Sequence, residues 1–142
     1  MPDDYNLNRF LEAQESTYQT ALSEITNGKK RSHWMWYIFP QVAGLGFSET
    51  SQYYGIKTIA EAKAYLNHPV LGKRLIEISE VLLTINGKSA NQVFGSPDDM
   101  KLKSSMTLFA AISDEDSVFN KVLEKYFDGK EDAKTLQLLK NN

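Results

Sequence analysis

A chain of 142 residues, 42% hydrophobic and 24% charged, is long enough to close one hydrophobic core and too apolar to stay disordered. A formal net charge of -2 and a pI near 5.7 speak against non-specific nucleic-acid binding, which needs a strongly basic face. The lack of cysteine excludes disulfides, thiolate catalysis and cysteine-ligated metal centres. The only histidines, His33 and His68, make a histidine-rich metal site a poor fit, so no metal is expected.

The N-terminal stretch Met1-Pro2-Asp3-Asp4-Tyr5-Asn6 lacks the basic and apolar regions of a signal peptide. No apolar run approaches the ~20 residues that a membrane helix needs. The expectation is a single cytoplasmic domain over residues 1–142, away from any membrane.

Asn6 is placed to cap a first helix. Leu7, Phe10, Leu11, Gln14, Tyr18, Leu22 and Ile25 recur on one face at spacings of three and four, up to a stop at Asn27-Gly28. A basic link, Lys29-Lys30-Arg31, leads to Ser32, which the pattern predicts as the N-cap of a short aromatic helix ended by Pro40. Gln41 to Phe47, with Gly44 and Gly46, reads as a loop, and Ser48 to Tyr54 as a short helix ending at Gly55. Thr58 and Glu61 have capping-box spacing and open a helix reaching Leu66 or Asn67.

His68-Pro69 caps the next helix, whose stripe is Leu71, Leu75, Ile78, Leu82 and Ile85, with Asn86-Gly87 at its end. Ser89 and Gln92 form a second capping box for a brief helix to Phe94. Ser96-Pro97-Asp98-Asp99 opens a helix to about Ile112, its acids suited to the positive end of the helix dipole. Asp114 starts another, burying Val118, Phe119, Val122, Leu123, Tyr126 and Phe127. Ala133 to Leu139 forms a last one before a polar end. Roughly eight helical segments and no period-two alternation predict an all-α, compact multihelical single domain.

The densest chemistry lies in residues 32–41. His33, Trp34, Trp36, Tyr37 and Phe39 crowd together there, and both tryptophans of the chain are among them. On a helix, residues 33, 36 and 37 share one face and 34 and 38 another, so one face must enter the core. The block is then either plain core, with His33 bonded to a carbonyl, or the wall of a pocket. A third option is a protein-binding patch anchored on tryptophan and tyrosine.

As a pocket, Lys30, Arg31 and the Ser32 helix start hold an anion, Trp34 or Trp36 stacks on a planar group, and Gln41 adds a directed contact. His33 is the proton-transfer candidate, because its ordinary pKa of ~6.5 lies near neutrality. The bland alternative for the basic triplet is a solvated turn. A second wall is expected from Lys101, Ser104 and Ser105, which share a helix face. There a serine–lysine pair could support nucleophilic chemistry, although most such pairs are solvated surface. Gly44-Leu45-Gly46 lacks the preceding strand, third glycine and lysine of a phosphate loop.

Several blocks together carry a family resemblance: Asn6-Leu7-Asn8-Arg9-Phe10, Ala13-Gln14, Arg31-Ser32-His33-Trp34-Met35-Trp36-Tyr37-Ile38-Phe39-Pro40-Gln41 and Gly44-Leu45-Gly46. His68-Pro69-Val70-Leu71-Gly72, Phe94-Gly95-Ser96-Pro97-Asp98-Asp99, Lys101 and Ser104-Ser105-Met106-Thr107-Leu108-Phe109 extend it over nearly the whole chain. The chain resembles the mainly bacterial family termed domain of unknown function 1810, some of whose members carry the label calpastatin. Calpastatins are long disordered inhibitors, whereas this composition and periodicity belong to a packed domain. The resemblance implies a compact all-α fold and supplies no activity, cofactor or catalytic residue.

The functional expectation is a small anionic ligand of nucleotide or sugar-phosphate type, bound around residues 29–41, with His33 as a possible acid or base. The competing expectations are a protein-interaction module on exposed aromatics around Trp34 and Tyr37, and single-stranded nucleic-acid binding, which the acidic pI disfavours.

Overall fold

The computed structural model describes residues 5–140, and the polar end expected at 141–142 lies outside the described residues. Regular structure among these residues is helical throughout, in ten helices, apart from an isolated parallel bridge between Val42 and Ile56. The all-α expectation holds, with ten helices in place of roughly eight.

The first expected helix is two: α1 (Asn8–Glu15) and α2 (Tyr18–Thr26), broken at Ser16-Thr17. Short hydroxyl side chains compete with the helix for backbone groups, which makes this pair a weak link. Gln14 also anchors the end of α1: its Nε2 donates to the Tyr37 carbonyl at 2.8 Å and meets the Tyr65 hydroxyl at 3.0 Å. The predicted stripe nonetheless survives the break, and Leu7, Phe10, Gln14, Tyr18 and Ile25 are all buried. Asn6 is not the cap. It has φ 51, and Leu7 precedes α1 without a side-chain cap.

The aromatic helix shrinks to α3 (Met35–Ile38). Ser48 caps α4 (Glu49–Tyr54) by accepting from the Ser51 amide, and Thr58 does the same for α5 (Ile59–Asn67) through Glu61. His68 Nδ1 accepts from the Val70 and Leu71 amides at 3.1 and 3.2 Å, and so caps α6 (Leu71–Thr84). At the α5–α6 junction Gly72 is required by close approach: a Cβ there would lie 1.8 Å from the Leu66 carbonyl oxygen. The full capping box at Ser89 and Gln92 starts α7 (Ala90–Phe94).

Helix α8 (Asp98–Ala111) is the centre of the fold, with every residue from Ser104 to Ala110 buried. It packs against α5, α7, α9 (Val118–Phe127) and α10 (Ala133–Lys140). The stretch from Ser104 to Ala110 is covered on all sides and so shows no amphipathic stripe, which is why periodicity does not single the helix out. Helix α9 in turn packs on α6, and α6 on α2. Of the residues expected to be buried on α9, Phe119, Val122 and Leu123 are, while Val118, Tyr126 and Phe127 are only half-buried.

Arg9 ties the N-terminal elements to the rest. Its guanidinium donates to the carbonyls of Tyr53 (2.8 Å), Tyr5 (2.6 Å), Asn6 (2.8 Å) and Gly55 (3.2 Å) and pairs with Glu61 at 2.5 Å. A buried guanidinium with its donors engaged in this way is a structural clamp.

Candidate functional site

Segment 31–41 divides sharply. Trp34 and Phe39 are fully buried and form an aromatic triangle with Phe94, their centroids 5.8 to 6.4 Å apart. Met35 and Ile38 are buried beside them, whereas His33 is exposed and Trp36 and Tyr37 are half-exposed. The predicted two-faced arrangement is therefore present, with 34 and 38 inward and 33, 36 and 37 outward.

Ser32 does not cap α3, which begins after Trp34 without a side-chain cap. Its polar groups serve Glu24 instead. That carboxylate accepts from the Arg31 amide (2.7 Å), the Ser32 amide (2.9 Å), the Ser32 hydroxyl (2.5 Å) and the Trp34 indole N–H (2.9 Å). Burial pushes the Glu24 pKa up, but these donors outweigh it and hold the group down at about 2. The donors that the sequence offered to an external anion are thus filled by an internal one, seven to ten residues upstream. Trp34, sealed in the core and bonded to Glu24, presents no face for stacking.

Lys30 begins a second constellation. Its ammonium donates to the Ser32 carbonyl at 2.5 Å, pairs with Asp98 at 2.8 Å and lies 5.0 Å above the Trp34 ring. Asp98 also pairs with Lys101 at 3.1 Å, and the Lys101 ammonium lies 4.1 Å over the Trp36 ring. Burial raises the Asp98 pKa, yet the two lysines win and hold its carboxyl below the ordinary range. Helix-start chemistry explains Asp98 only in part, because the residue also bridges α8 to the link before α3. Sequence spacing carries no signal for a pair 68 positions apart.

Of the second wall, Lys101 therefore joins Lys30 and Trp36. The serine–lysine pairing is replaced by Asp98 and Trp36 as partners of Lys101. Ser104 donates its hydroxyl to the Met100 carbonyl at 3.2 Å. Ser105 is fully buried, and its hydroxyl has no hydrogen-bond partner among the described residues.

Gln41 is 7% exposed and its Nε2 is likewise unpartnered. It lines a cavity of about 10 Å³ with Trp36, Leu45, Gly46, Ser51 and Tyr54. That volume suits a single water and no larger ligand. Trp36 and Gln41 thus converge, but on a space too small for a nucleotide or sugar. His33 lines neither this cavity nor the basic cleft described next.

The cleft that sequence reasoning missed lies on the other side of Lys30. It has a volume of about 480 Å³ and is lined by Lys29, Lys30, Lys88, Asn91, Gln92, Val93, Phe94 and Gly95. Three lysines and, among the described residues, no carboxylate line it, although Asp98 and Asp99 reach its edge through Lys30 and Asn91. Lys88 donates to the Gly28 carbonyl at 3.0 Å, and so joins the end of α2 to the α7 side. Gly95 has φ 75, and a Cβ there would meet nothing within 4 Å, so the backbone is open to approach. Only Lys29-Lys30 hinted at this cleft in the sequence. Lys88 is far away along the chain.

The exposed aromatics lie elsewhere. Phe47 is 92% exposed and Tyr53 50%, while Trp34, expected as an anchor of a protein-binding patch, is buried. Among the described residues no group of histidine, aspartate or glutamate side chains is arranged to hold a metal ion. No helix among them is long and apolar enough to cross a membrane.

None of the curated proteins matches the chain. Among solved structures, the fold matches the crystal structure of the conserved hypothetical protein Rv1873 from Mycobacterium tuberculosis. The TM-score is 0.95 at 46% identity, over 97% of this chain and 99% of that one. The family model described as a protein of unknown function matches residues 4–139, and the chain belongs to that family, DUF1810.

Proposed function

We propose that the domain binds a small anionic ligand, of nucleotide or sugar-phosphate type, in the cleft between Lys29-Lys30 and α7. The observation that carries this reading is the lining: three lysines and, among the described residues, no carboxylate around about 480 Å³. Small-ligand sites typically span about 300–1,000 Å³.

The ammonium chemistry suits an oxyanion. Each lysine has three N–H donors. Lys30 is engaged by the Ser32 carbonyl, Asp98 and the Trp34 ring and acts as a fixed charge, while Lys88 directs one donor toward Gly28, so the donors for a bound phosphate come from Lys29 and Lys88. Phe94 supplies an apolar wall, and the side-chain amides of Asn91 and Gln92 supply polar contacts. The Lys30–Asp98–Lys101 chain continues from the cleft to Trp36, so Lys101, Trp36 and Gln41 form an adjoining platform and not the anion seat. The proposal is one of binding. His33, exposed and outside the cleft lining, is assigned no chemical step.

Thermal unfolding in the presence of AMP, ADP, ribose 5-phosphate, glucose 6-phosphate and inorganic phosphate tests the reading. At least one phosphorylated compound should raise the Tm, by the equivalent of about 2.7 kcal/mol at a hundredfold excess over Kd. The shift should shrink as salt rises and vanish in a Lys29→Ala/Lys88→Ala variant. If none of these compounds stabilises the protein, or the double variant keeps the full shift, the cleft is not the anion site.

A further inference from the structure

A second cleft, of about 520 Å³, lies where α6 and α9 meet the turn after α8. Its floor is aliphatic: Leu66, Leu83, Ile112 and Val118 are half-buried there, and Ile76 is 38% exposed. Its charge is opposite to that of the basic cleft. Glu80, Asp114 and Asp116 line it against the single cation Lys121, and none of the four forms an ion pair among the described residues.

Asp114 and Asp116 precede α9, where the helix dipole favours acids. That account does not extend to Glu80, which lies outside the first turn of α6. An apolar floor under a rim of unpaired carboxylates is complementary to a cation with an apolar body. At about 520 Å³ the cleft falls within the range of about 300–1,000 Å³ usual for small ligands, so a small molecule fits it.

We infer that this cleft is a binding site for a small organic cation, a protonated primary amine carrying an alkyl or aryl group. The apolar body lies on Leu83, Ile112 and Val118, and the ammonium meets Glu80, Asp114 and Asp116. The site is separate from the basic cleft in both residues and charge, so the two readings stand or fall independently.

The test uses three probes with the same tail and different heads: n-octylamine, n-octanol and octanoate, titrated into ¹⁵N-labelled protein and followed by amide chemical shifts. Octylammonium should give saturable shifts confined to residues 76–83 and 112–121, octanol weaker ones, and octanoate none. The isosteric pair Asp114→Asn/Asp116→Asn, together with Glu80→Gln, should weaken octylammonium binding about threefold to tenfold, as expected for partly exposed charge pairs. The spectrum itself reports whether each variant is folded, and Lys121→Ala should bind octylammonium at least as well as the wild type. Equal binding of octanol and octylammonium, binding of octanoate, or unchanged affinity in the carboxylate variants would overturn the proposal.

Discussion

The two halves of segment 31–41 share one stretch of chain, yet their polar groups are treated in opposite ways. In the first half the amides of Arg31 and Ser32, the Ser32 hydroxyl and the Trp34 indole all converge on the Glu24 carboxylate. In the second half Gln41 is buried with its amide nitrogen unpartnered, beside a cavity the size of one water. A saturated polar cluster fixes a segment, and a buried donor without a partner destabilises it by about 1–3 kcal/mol. The first half is therefore a lock that sets Trp34 in the core, and its apparent anion-binding chemistry is already spent. Ligand chemistry must be sought around it, in the basic cleft that begins at Lys29.

Breaking the lock should have the largest effect. Glu24→Ala leaves the buried Trp34 indole N–H unsatisfied and the three part-buried donors to water, and should lower the unfolding free energy by about 2–3 kcal/mol in urea titrations. Glu24→Gln keeps the volume and one acceptor oxygen, and should lose less. The pH dependence follows from the depressed pKa. Because Glu24 is a stronger acid folded than unfolded, its contribution is fully present above the ordinary carboxylate pKa near 4.5 and is lost as pH falls toward about 2. The slope of stability against pH in that window should flatten in Glu24→Gln. An unchanged slope would mean that the four donors do not hold the carboxylate.

The second half should respond with the opposite sign and a smaller size. Gln41→Met removes the unpartnered donor while filling similar volume, and should raise stability by about 1 kcal/mol by the same urea measurement. A fall in stability would show that the amide nitrogen is satisfied, for instance by a water bridging it within the cavity.

Much of the fold was legible because its signals are local. Ser48, Thr58, Ser89 and His68 cap the helices they precede, and the stripe from Leu71 to Ile85 is buried as spaced. The break at Ser16-Thr17 was not legible, because the apolar face runs on through it. The reading of Ser32 failed for a physical reason. A capping residue and its free donors look the same in sequence whether the acceptor is a ligand or a carboxylate on the preceding helix. Lys88 and Asp98 belong to the same class, since both gain their roles from partners about sixty positions or more away.

The basic cleft and the locked segment can be told apart in one titration. Inorganic pyrophosphate added to ¹⁵N-labelled protein should shift the amides of Lys29, Lys30, Lys88 and residues 91–95, and leave the Ser32 amide and the Trp34 indole N–H in place. If the Ser32 and Trp34 signals move first, or no signal around Lys29 and Lys88 responds, Glu24 does not seal the segment against anions and the cleft is not their seat.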